Sequence, residues 1–404
     1  MTQSQVSKPD NRVKDLLGQA LACHKAGNLG EAERCYLAVL EIEKNNAKAL
    51  TFLGALHVQR REYRKATKVL RRSLRIDGRQ PHALNSLGNA LRESLRYEEA
   101  VVSYDRAIAL RADFSGAHFN KALALQLAGS LDGALRSYDR AIALKPDYVE
   151  ALNNRANVLV KLQHYDRALE DFALAIRLKP DSAQVHNNRG TALRALGRYP
   201  EALESYNQAI ALYSNYAEAH SNRGNALYSL GDQAEALASY DRAIALGADN
   251  ADVHFGKGDV LRAVKKYADA VKSYDRAIEL RADFAEAHLN KGLALENDRC
   301  WFEALASYNQ AIALKPDSAL AHSNVGSVLG SLYRHGEALA SFERAIALKP
   351  DFAEAYNNRA VALQKLHRRE ESLADFDKAI AIKPDLVAAH YSRANLLRDL
   401  RRFE

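Results

Sequence analysis

Residues 103–136 read SYDRAIALRADFSGAHFNKALALQLAGSLDGALR, and the octapeptide SYDRAIAL that opens this stretch returns at residues 137–144 and 239–246. Close variants of the octapeptide begin at Ser205, Ser273, Ser307 and Ser341. Every separation between these starts is a multiple of 34 residues. Self-similarity at a fixed period of this length is typical of a repeat protein, in which each unit buries its apolar face against its neighbours.

The repeat frame accounts for nearly the whole chain of 404 residues. Setting the first unit at Val13 gives eleven complete 34-residue units over residues 13–386 and a truncated twelfth unit over residues 387–404, with no insertion or deletion. We expect residues 1–12 to be a disordered N-terminal tail. Because the chain stops where the second helix of the twelfth unit should begin, we also expect it to be cut from a longer protein.

Each unit has the pattern of two helices. Position 8 of the unit is Gly or Ala in all twelve units, and position 24 is aromatic in ten of eleven. Small residues allow two helices to approach closely, and the apolar residues recur with the 3.6-residue period of one buried stripe per helix. The sequence therefore predicts an all-α protein built from helix pairs.

Polar and special residues mark the predicted helix ends. Position 33 is Asp or Asn in ten of eleven units and is predicted to be an N-cap. A Glu or Gln follows three residues later in five units, which predicts capping boxes such as Asp147–Glu150. Prolines before these caps should stop the preceding helix. Glycines should mark the turn inside the pair, at Gly27, Gly129, Gly197 and Gly231.

These motifs resemble the tetratricopeptide repeat (TPR) family over residues 13–404. The resemblance implies a TPR solenoid: antiparallel helix pairs stacked into a right-handed superhelix, with a concave groove lined by the first helix of each pair. It also implies that positions 2, 5, 6, 9, 12 and 13 face this groove.

Composition and motifs exclude several classes of protein. No apolar run approaches the roughly 18 residues that suggest a membrane span. Three cysteines cannot form a disulfide framework, which favours a cytoplasmic protein. There is no CxxC, HExxH, P-loop or GxGxxG motif. We therefore expect no enzymatic activity, no cofactor and no metal in these residues.

Histidines and charges follow the repeat as well. Seven histidines occupy position 4, where we expect them to pack at the seam between helices: His118, His186, His220, His254, His288, His322 and His390. Six acidic residues at position 25 are each followed 16 residues later by a base at position 7, which predicts ion pairs between repeats. These pairs are Asp105–Lys121, Asp139–Arg155, Asp241–Lys257, Asp275–Lys291, Glu343–Arg359 and Asp377–Arg393.

The net charge of +7 is concentrated near the N-terminus. Nine Lys and Arg fall within residues 59–79, mostly on the predicted second helix of repeat 2. A solvated or partner-docking face is the favoured interpretation. A nucleic-acid patch or a membrane surface is less expected, because no aromatic residues are interleaved for stacking and the charge does not continue along the array.

Asparagines concentrate at the positions that the family resemblance assigns to the groove. At position 6 they are Asn120, Asn154, Asn188, Asn222, Asn290, Asn324 and Asn358; at positions 5 and 9 the candidates are Asn85, Asn89, Asn157 and Asn225. A primary carboxamide both donates and accepts hydrogen bonds, so it can hold a peptide backbone without reading side chains. The arrangement is similar to the asparagine ladder in the TPR arm of O-linked N-acetylglucosamine transferases.

The sequence thus predicts a protein–protein interaction scaffold that binds extended polypeptide in an Asn-lined groove. The alternative is the substrate-recruiting arm, without a catalytic domain, of a glycosyltransferase resembling SPINDLY and bacterial O-GlcNAc transferases. Partners are expected to be proteins or peptides in extended conformation rather than nucleic acid. The uncapped C-terminal end is expected to allow self-association, because an apolar helix face would have no covering helix.

Overall fold

The computed structural model describes residues 9–400, which form twenty-three α-helices and no β-strand. Each of the eleven complete repeats contributes two of them, joined by a short turn, and the twelfth unit contributes α23, so the predicted all-α fold is confirmed. In chain order the helices are α1 Pro9–Lys25, α2 Leu29–Ile42, α3 Ala47–Gln59, α4 Tyr63–Ile76, α5 Pro81–Glu93, α6 Tyr97–Leu110, α7 Ser115–Leu127, α8 Leu131–Leu144, α9 Val149–Lys161, α10 Tyr165–Leu178, α11 Ala183–Ala195, α12 Tyr199–Leu212, α13 Ala217–Leu230, α14 Gln233–Ala245, α15 Ala251–Ala263, α16 Tyr267–Leu280, α17 Ala285–Asn297, α18 Trp301–Leu314, α19 Ala319–Ser331, α20 His335–Leu348, α21 Ala353–Lys365, α22 Arg369–Ile382 and α23 Val387–Asp399.

The helices pack in two compact units, one ending at Arg198 and the other beginning at Tyr199. Within each unit every helix packs against the helix that follows it. Odd-numbered helices also contact each other, as α3 contacts α5 and α5 contacts α7 in the first unit, and α19 contacts α21 in the second. The first helices of successive repeats therefore line one face of each unit.

In ten of the eleven complete repeats, the core contains a small residue at position 8 and a large ring at position 24. Tyr138 and Tyr308, both at position 24, are fully buried. Ala122, at position 8 of the same repeat as Tyr138, is also fully buried. At Gly292, a Cβ atom would lie 2.5 Å from Cε1 of Tyr308. Position 8 is thus small because the ring from position 24 occupies the space beside it.

The predicted N-caps at position 33 are wrong by one residue. In repeat 4, the cap of α9 is Tyr148 at position 34, and Asp147 belongs to the preceding turn. The Tyr148 N–H donates to the Lys145 carbonyl at 3.1 Å, which closes a turn with Pro146 and Asp147 at its centre. The predicted capping boxes therefore do not form. Proline followed by aspartate suits the central positions of such a turn, since proline fixes φ there.

The turn inside each helix pair requires left-handed backbone at position 15. The four predicted glycines adopt it, with φ of 79° at Gly27, 82° at Gly129, 73° at Gly197 and 85° at Gly231. In the other seven units the same position carries a side chain at φ of 60–62°: Arg61, Leu95, Gln163, Lys265, Arg299, Tyr333 and His367. The turn geometry is therefore imposed by the repeat rather than by glycine.

The ends of the array differ in part from expectation. Helix α1 begins at Pro9, so residues 9–12 are helical; residues 1–8 of the expected tail lie outside the described residues. In the twelfth unit α23 forms, and Leu396 is buried against repeat 11 rather than exposed. Ala394, at position 8, is exposed, unlike its counterparts in the complete repeats. Residues 401–404 of this unit lie outside the described residues.

Five of the six predicted ion pairs between repeats are confirmed. The N–O distances are 2.6 Å for Lys121–Asp105, Lys257–Asp241 and Lys291–Asp275, 2.7 Å for Arg155–Asp139 and 2.5 Å for Arg393–Asp377. The sixth prediction, Glu343–Arg359, is wrong, because Arg359 instead holds Asp375 of its own repeat with bonds of 2.6 and 2.7 Å. At Arg155 the same two-bond contact, to Asp171, coexists with the predicted pair to Asp139.

The position-4 histidines lie at the seam between repeats. The Nε2 atoms of His118, His186 and His390 face the backbone carbonyls of Ala112, Pro180 and Pro384 at 2.9–3.3 Å. Burial lowers the pKa of His118 and of His288. These rings therefore tie the start of one repeat to the turn that precedes it, which is the packing role predicted for them.

The remaining apolar candidates also lie in the core. Cys35 is buried, Cys23 packs against the same cluster, and both thiols are free. Burial raises the pKa of the Cys35 thiol. Trp301 packs against the core of repeats 9 and 10. None of the helices between residues 9 and 400 combines the length and apolarity that crossing a membrane requires.

Candidate binding face

All eleven asparagines of the predicted groove lie on odd-numbered helices and are half-buried. In the first unit they are Asn85 and Asn89 on α5, Asn120 on α7, Asn154 and Asn157 on α9, and Asn188 on α11. In the second unit they are Asn222 and Asn225 on α13, Asn290 on α17, Asn324 on α19, and Asn358 on α21. Each unit therefore carries an asparagine-bearing face on its first helices, which we call the asparagine face.

In the first unit, asparagines of adjacent repeats bond to each other. Asn120 Nδ2 donates to Asn85 Oδ1 at 3.0 Å, which joins position 6 of one repeat to position 5 of the preceding repeat. Asn188 Nδ2 makes the same bond to Asn153 Oδ1, also at 3.0 Å. Asn153, at position 5 of repeat 5, is 5% exposed and is not among the asparagines that the sequence predicts for the site. These amides thus hold repeats together as well as facing the groove.

At position 9, Asn89 and Asn225 accept hydrogen bonds from core tyrosines. The Tyr104 hydroxyl donates to Asn89 Oδ1 and the Tyr240 hydroxyl donates to Asn225 Oδ1, both at 2.8 Å. A buried phenol needs an acceptor, and position 9 lies beside the ring that comes from position 24. Asn89 and Asn225 therefore have a structural contact that the sequence did not suggest.

Position 9 of repeat 8 is Asp259, which sequence reasoning missed as part of this face. Its carboxylate accepts hydrogen bonds from the Tyr274 hydroxyl at 2.7 Å and from Asn290 Nδ2 at 2.8 Å. Burial raises the pKa of Asp259, although both hydrogen bonds act in the opposite direction. Its place in the repeat, where Asn89, Asn157 and Asn225 stand, was the signal that could have found it.

Two amides near repeat 10 have a polar atom with no hydrogen-bond partner. These are Asn324 Nδ2 and Asn357 Oδ1, at positions 6 and 5 of consecutive repeats. Asn357 Nδ2 donates to Asn358 Oδ1 at 3.0 Å, and Asn358 Nδ2 lies 3.5 Å from Ser327 Oγ, at the limit of a hydrogen bond. The asparagine face of the second unit thus retains unused donor and acceptor capacity.

Gly256 interrupts the run of asparagines at position 6 and lies against the Tyr240 ring. A Cβ atom at this position would lie 2.6 Å from the hydroxyl oxygen of Tyr240 and 2.8 Å from its Cζ. The Tyr240 ring thus occupies the space beside Gly256, whereas Tyr104 and Tyr274, also at position 24, are followed by Asn120 and Asn290 at position 6 of the next repeat.

A pocket opens on the asparagine face of the first unit, between α9 and α11. It has a volume of about 300 Å³ and is lined by residues that include Asn153, Asn154 and Val185. Phe119 and Val149 supply apolar walls, while Glu150, Lys179, Ser182 and Gln184 surround it with polar groups. An extended chain on this face would meet both amides and apolar surface.

The basic segment at residues 59–79 lies away from the asparagine face, mainly on α4. Its Lys and Arg side chains are exposed, except that of Arg60, which is half-buried and pairs with Glu33. Lys65 pairs with Glu62 at 3.2 Å, and Arg71 pairs with Glu99 at 3.1 Å. Across residues 9–400, no group of three or more His, Cys, Asp or Glu side chains is placed to hold a metal ion.

Comparison with known proteins gives consistent matches along the chain. The family described as "TPR repeat" matches residues 88–129, 127–163, 190–231, 224–263, 258–298, 301–332 and 334–366. Two families described as "Tetratricopeptide repeat" match residues 149–182 and 353–386. Together these matches cover well over half of the chain. No curated protein matches it.

Several solved structures are similar. The APC/C hetero-tetramer Cut9–Hcn1 is 12% identical, covers 97% of each chain and has a TM-score of 0.52. PilF of Pseudomonas aeruginosa is 21% identical, covers 54% of this chain and 100% of its own, and has a TM-score of 0.49. YrrB, described as a TPR protein with an unusual peptide-binding site, is 25% identical, covers 56% of this chain and 99% of its own, and has a TM-score of 0.36.

Proposed function

The chain belongs to the tetratricopeptide repeat family and is a protein–protein interaction scaffold, and on this premise we propose that the asparagine face of each unit binds polypeptide in extended conformation. The amides would pair with the peptide backbone, so that binding depends little on the partner's side chains. In this proposal the chain has no catalytic activity of its own and uses no cofactor.

The observation that carries the proposal is the unused hydrogen-bonding capacity at Asn324 and Asn357. A buried polar atom without a partner costs about 1–3 kcal/mol, so its presence needs a reason. A donor on one amide and an acceptor on the next repeat's amide can pair with a carbonyl and an N–H group of a bound backbone. When the two side chains turn toward a bound backbone, both atoms gain a partner.

Binding to random extended peptides tests this directly. Twelve-residue peptides displayed on phage are selected on the intact chain, and selected peptides are then titrated by fluorescence anisotropy. The double variant Asn324→Ala/Asn357→Ala should weaken every peptide bound on the second unit. Each lost hydrogen bond is worth about 0.5–1.5 kcal/mol, so we expect a loss of about 5- to 150-fold in affinity.

The control is Asn309→Ala, since Asn309 is exposed on α18, on a second helix of its repeat. This variant should bind all selected peptides as the wild type does. Unchanged affinity of the double variant for every peptide, with its fold intact by circular dichroism, would contradict the role of the asparagines. Failure to select any peptide would contradict the proposed function as a whole.

The alternative function, a substrate-recruiting arm of an O-GlcNAc transferase-like enzyme, uses the same face. The runs of asparagine at position 6 support it, because they resemble the asparagine ladder in the TPR arm of those enzymes. The sequence of the gene beyond codon 404 distinguishes the two functions. A glycosyltransferase domain in the same reading frame favours the recruiting arm, and its absence favours an independent scaffold.

Self-association through α23 is a second interaction that we propose. Val387 and Tyr391 are 77% and 71% exposed on this helix, and Ala394 is exposed as well. Sedimentation velocity should show a dimer that Tyr391→Lys dissolves. A monomer at all concentrations would contradict it.

We also propose a cytoplasmic location, supported by the three free thiols. Cell fractionation of the native host tests it.

A further inference from the structure

A second pocket opens on the second unit, between repeats 10 and 11. It has a volume of about 310 Å³, and its lining includes Phe342, Ala362, Val361, Ser327, Asn358 and Lys365. Phe342 and Ala362 are each 2% exposed and form the floor. We call it the Phe342 pocket.

This pocket exists because repeat 10 lacks two groups that fill the same space elsewhere. In repeat 9, Glu296 at position 12 accepts a 2.6 Å hydrogen bond from the Tyr308 hydroxyl at position 24. In repeat 4, Gln126 accepts a 2.9 Å bond from Tyr138 in the same way. Both contacts join position 12 to position 24 across the groove side of the helix pair.

In repeat 10, position 12 is Gly330 and position 24 is Phe342. A Cβ atom at Gly330 would meet nothing within 4 Å, which shows that the space is open. The long side chain and the hydroxyl that would bond to it are both missing, so the phenyl ring is left facing a cavity. Because both changes occur in one repeat, the cavity is local to this part of the array.

The chemistry of the walls indicates what fits. The floor and Val361 are apolar, whereas Ser327 and Asn358 offer hydrogen-bonding groups at one side. Lys365 and His335 stand at the edge, and the lining residues that the structure describes include no carboxylate. An apolar side chain fits the floor, and an acidic neighbour complements the charge of Lys365.

We propose that the Phe342 pocket binds one large apolar side chain of the bound polypeptide and favours sequences in which Asp or Glu adjoins it. This inference rests on the proposed function, because it requires a peptide on the asparagine face. The pocket would select for one side chain of the partner, whereas the asparagine face binds only the peptide backbone. Asn358 links the two, since it lies both in the pocket lining and on the asparagine face.

The test compares two glycine-to-glutamine variants of the intact chain. Gly330→Gln restores the side chain that repeat 4 carries at position 12 and fills the pocket. Gly336→Gln is the matched control, because a Cβ atom there also meets nothing within 4 Å and Gly336 does not line the pocket. Twelve-residue phage-displayed peptides are selected on the wild type and on both variants.

Peptides from the wild type and from Gly336→Gln should share one Leu, Met, Phe or Trp next to Asp or Glu. Peptides selected on Gly330→Gln should lack this pattern. In titrations, replacing the shared apolar residue with Ala should weaken binding to wild type by about 10-fold or more, and to Gly330→Gln by less than about twofold. Lys365→Glu should remove the preference for the acidic neighbour and leave the apolar preference in place.

The outcomes distinguish a failure of the Phe342 pocket proposal from a failure of the proposed function. Selected peptides that depend on Asn324 and Asn357 but share no apolar residue would overturn the pocket and leave the proposed function standing. An apolar preference that survives in folded Gly330→Gln would overturn the pocket as well. A selection that yields no peptide on the wild type would overturn both.

Discussion

Arg155 on α9 donates two hydrogen bonds to the carboxylate of Asp171 on α10, of 2.6 and 2.8 Å. The same guanidinium also donates to Asp139 of the preceding repeat at 2.7 Å. The Asp171 side chain is 8% exposed, whereas that of Asp139 is 45% exposed. One cation thus joins three consecutive helices, with a buried contact inside its repeat and an exposed contact to the repeat before it.

Replacing Arg155 should therefore lower the free energy of unfolding more than replacing Asp139 does. Arg155→Leu leaves the Asp171 carboxylate buried without a partner and should destabilise repeat 5 by about 3–5 kcal/mol. Asp139→Asn loses only an exposed pair, which is worth at most about 1 kcal/mol. Chemical denaturation of the intact chain, with hydrogen exchange to localise the effect, measures both.

The matched control combines Arg155→Leu with Asp171→Ser. This pair copies repeat 3, which has Leu87 and Ser103 at the same two positions. The double variant should regain most of the stability lost by Arg155→Leu alone, because no buried charge remains. A double variant no more stable than the single one would show that the arginine acts through packing instead.

The left-handed turn at position 15 predicts a stabilising change. Leu95 has φ of 60° and is 73% exposed, so its side chain has little packing to lose. A non-glycine residue in this conformation costs about 1–2 kcal/mol, while glycine costs about 0.5–1 kcal/mol in the flexibility of the unfolded chain. Leu95→Gly should therefore raise stability by up to about 1 kcal/mol, measured as the midpoint of thermal unfolding.

The reverse substitution, Gly129→Leu, should lower the midpoint by a similar amount. A Cβ atom at Gly129 meets nothing within 4 Å, so only backbone strain is tested. Equal midpoints for Gly129→Leu and the wild type would show that the turn carries no strain.

Position 8 should tolerate no large side chain, as Gly292 shows. Gly292→Leu would force the Tyr308 ring out of place and should destabilise the array by at least about 1–3 kcal/mol. Gly18→Ala, in the interior of α1 with nothing within 4 Å of its Cβ, should instead stabilise by about 0.5–1 kcal/mol. Hydrogen exchange in repeats 1 and 9 measures each effect where it arises, and protection of repeat 9 unchanged by Gly292→Leu would contradict the packing.

Asp259 makes stability depend on pH. Burial raises its pKa in the folded chain, so the folded state binds this proton more tightly than the unfolded state does. Stability is therefore lost as pH rises from the unfolded value through the folded pKa. Asp259→Asn restores the residue that Asn225 provides in repeat 7, and it should be more stable than wild type at pH 7. The gain should shrink as pH falls toward 4, in denaturation curves measured at each pH.

Alanine substitutions on the asparagine face should affect the stability of the fold in two different ways. Asn120→Ala removes the bond to Asn85 and should cost about 0.5–1.5 kcal/mol. Asn324→Ala removes a donor that has no partner and should cost nothing or stabilise slightly. Thermal unfolding of both variants checks this, and equal losses would show that the inter-repeat bond contributes nothing.

The sequence alone determined the repeat, the helix pairs and five inter-repeat ion pairs, because a 34-residue period fixes which residues share a helix face. That the small residue at position 8 packs against the ring at position 24 is seen only in the structure. The sequence also placed the asparagines on one face of each unit. The N-caps predicted from the sequence were wrong by one residue, because a Pro-Asp pair is compatible with a turn as well as with a helix start. Only the backbone hydrogen bonds distinguish these two cases. What each polar side chain bonds to was decided by tertiary structure. Asn89 meets Tyr104, Arg359 prefers Asp375, and the missing contact between Gly330 and Phe342 opens a pocket. These choices depend on competition among partners 12 to 35 residues apart, and that competition is settled only when the helices pack.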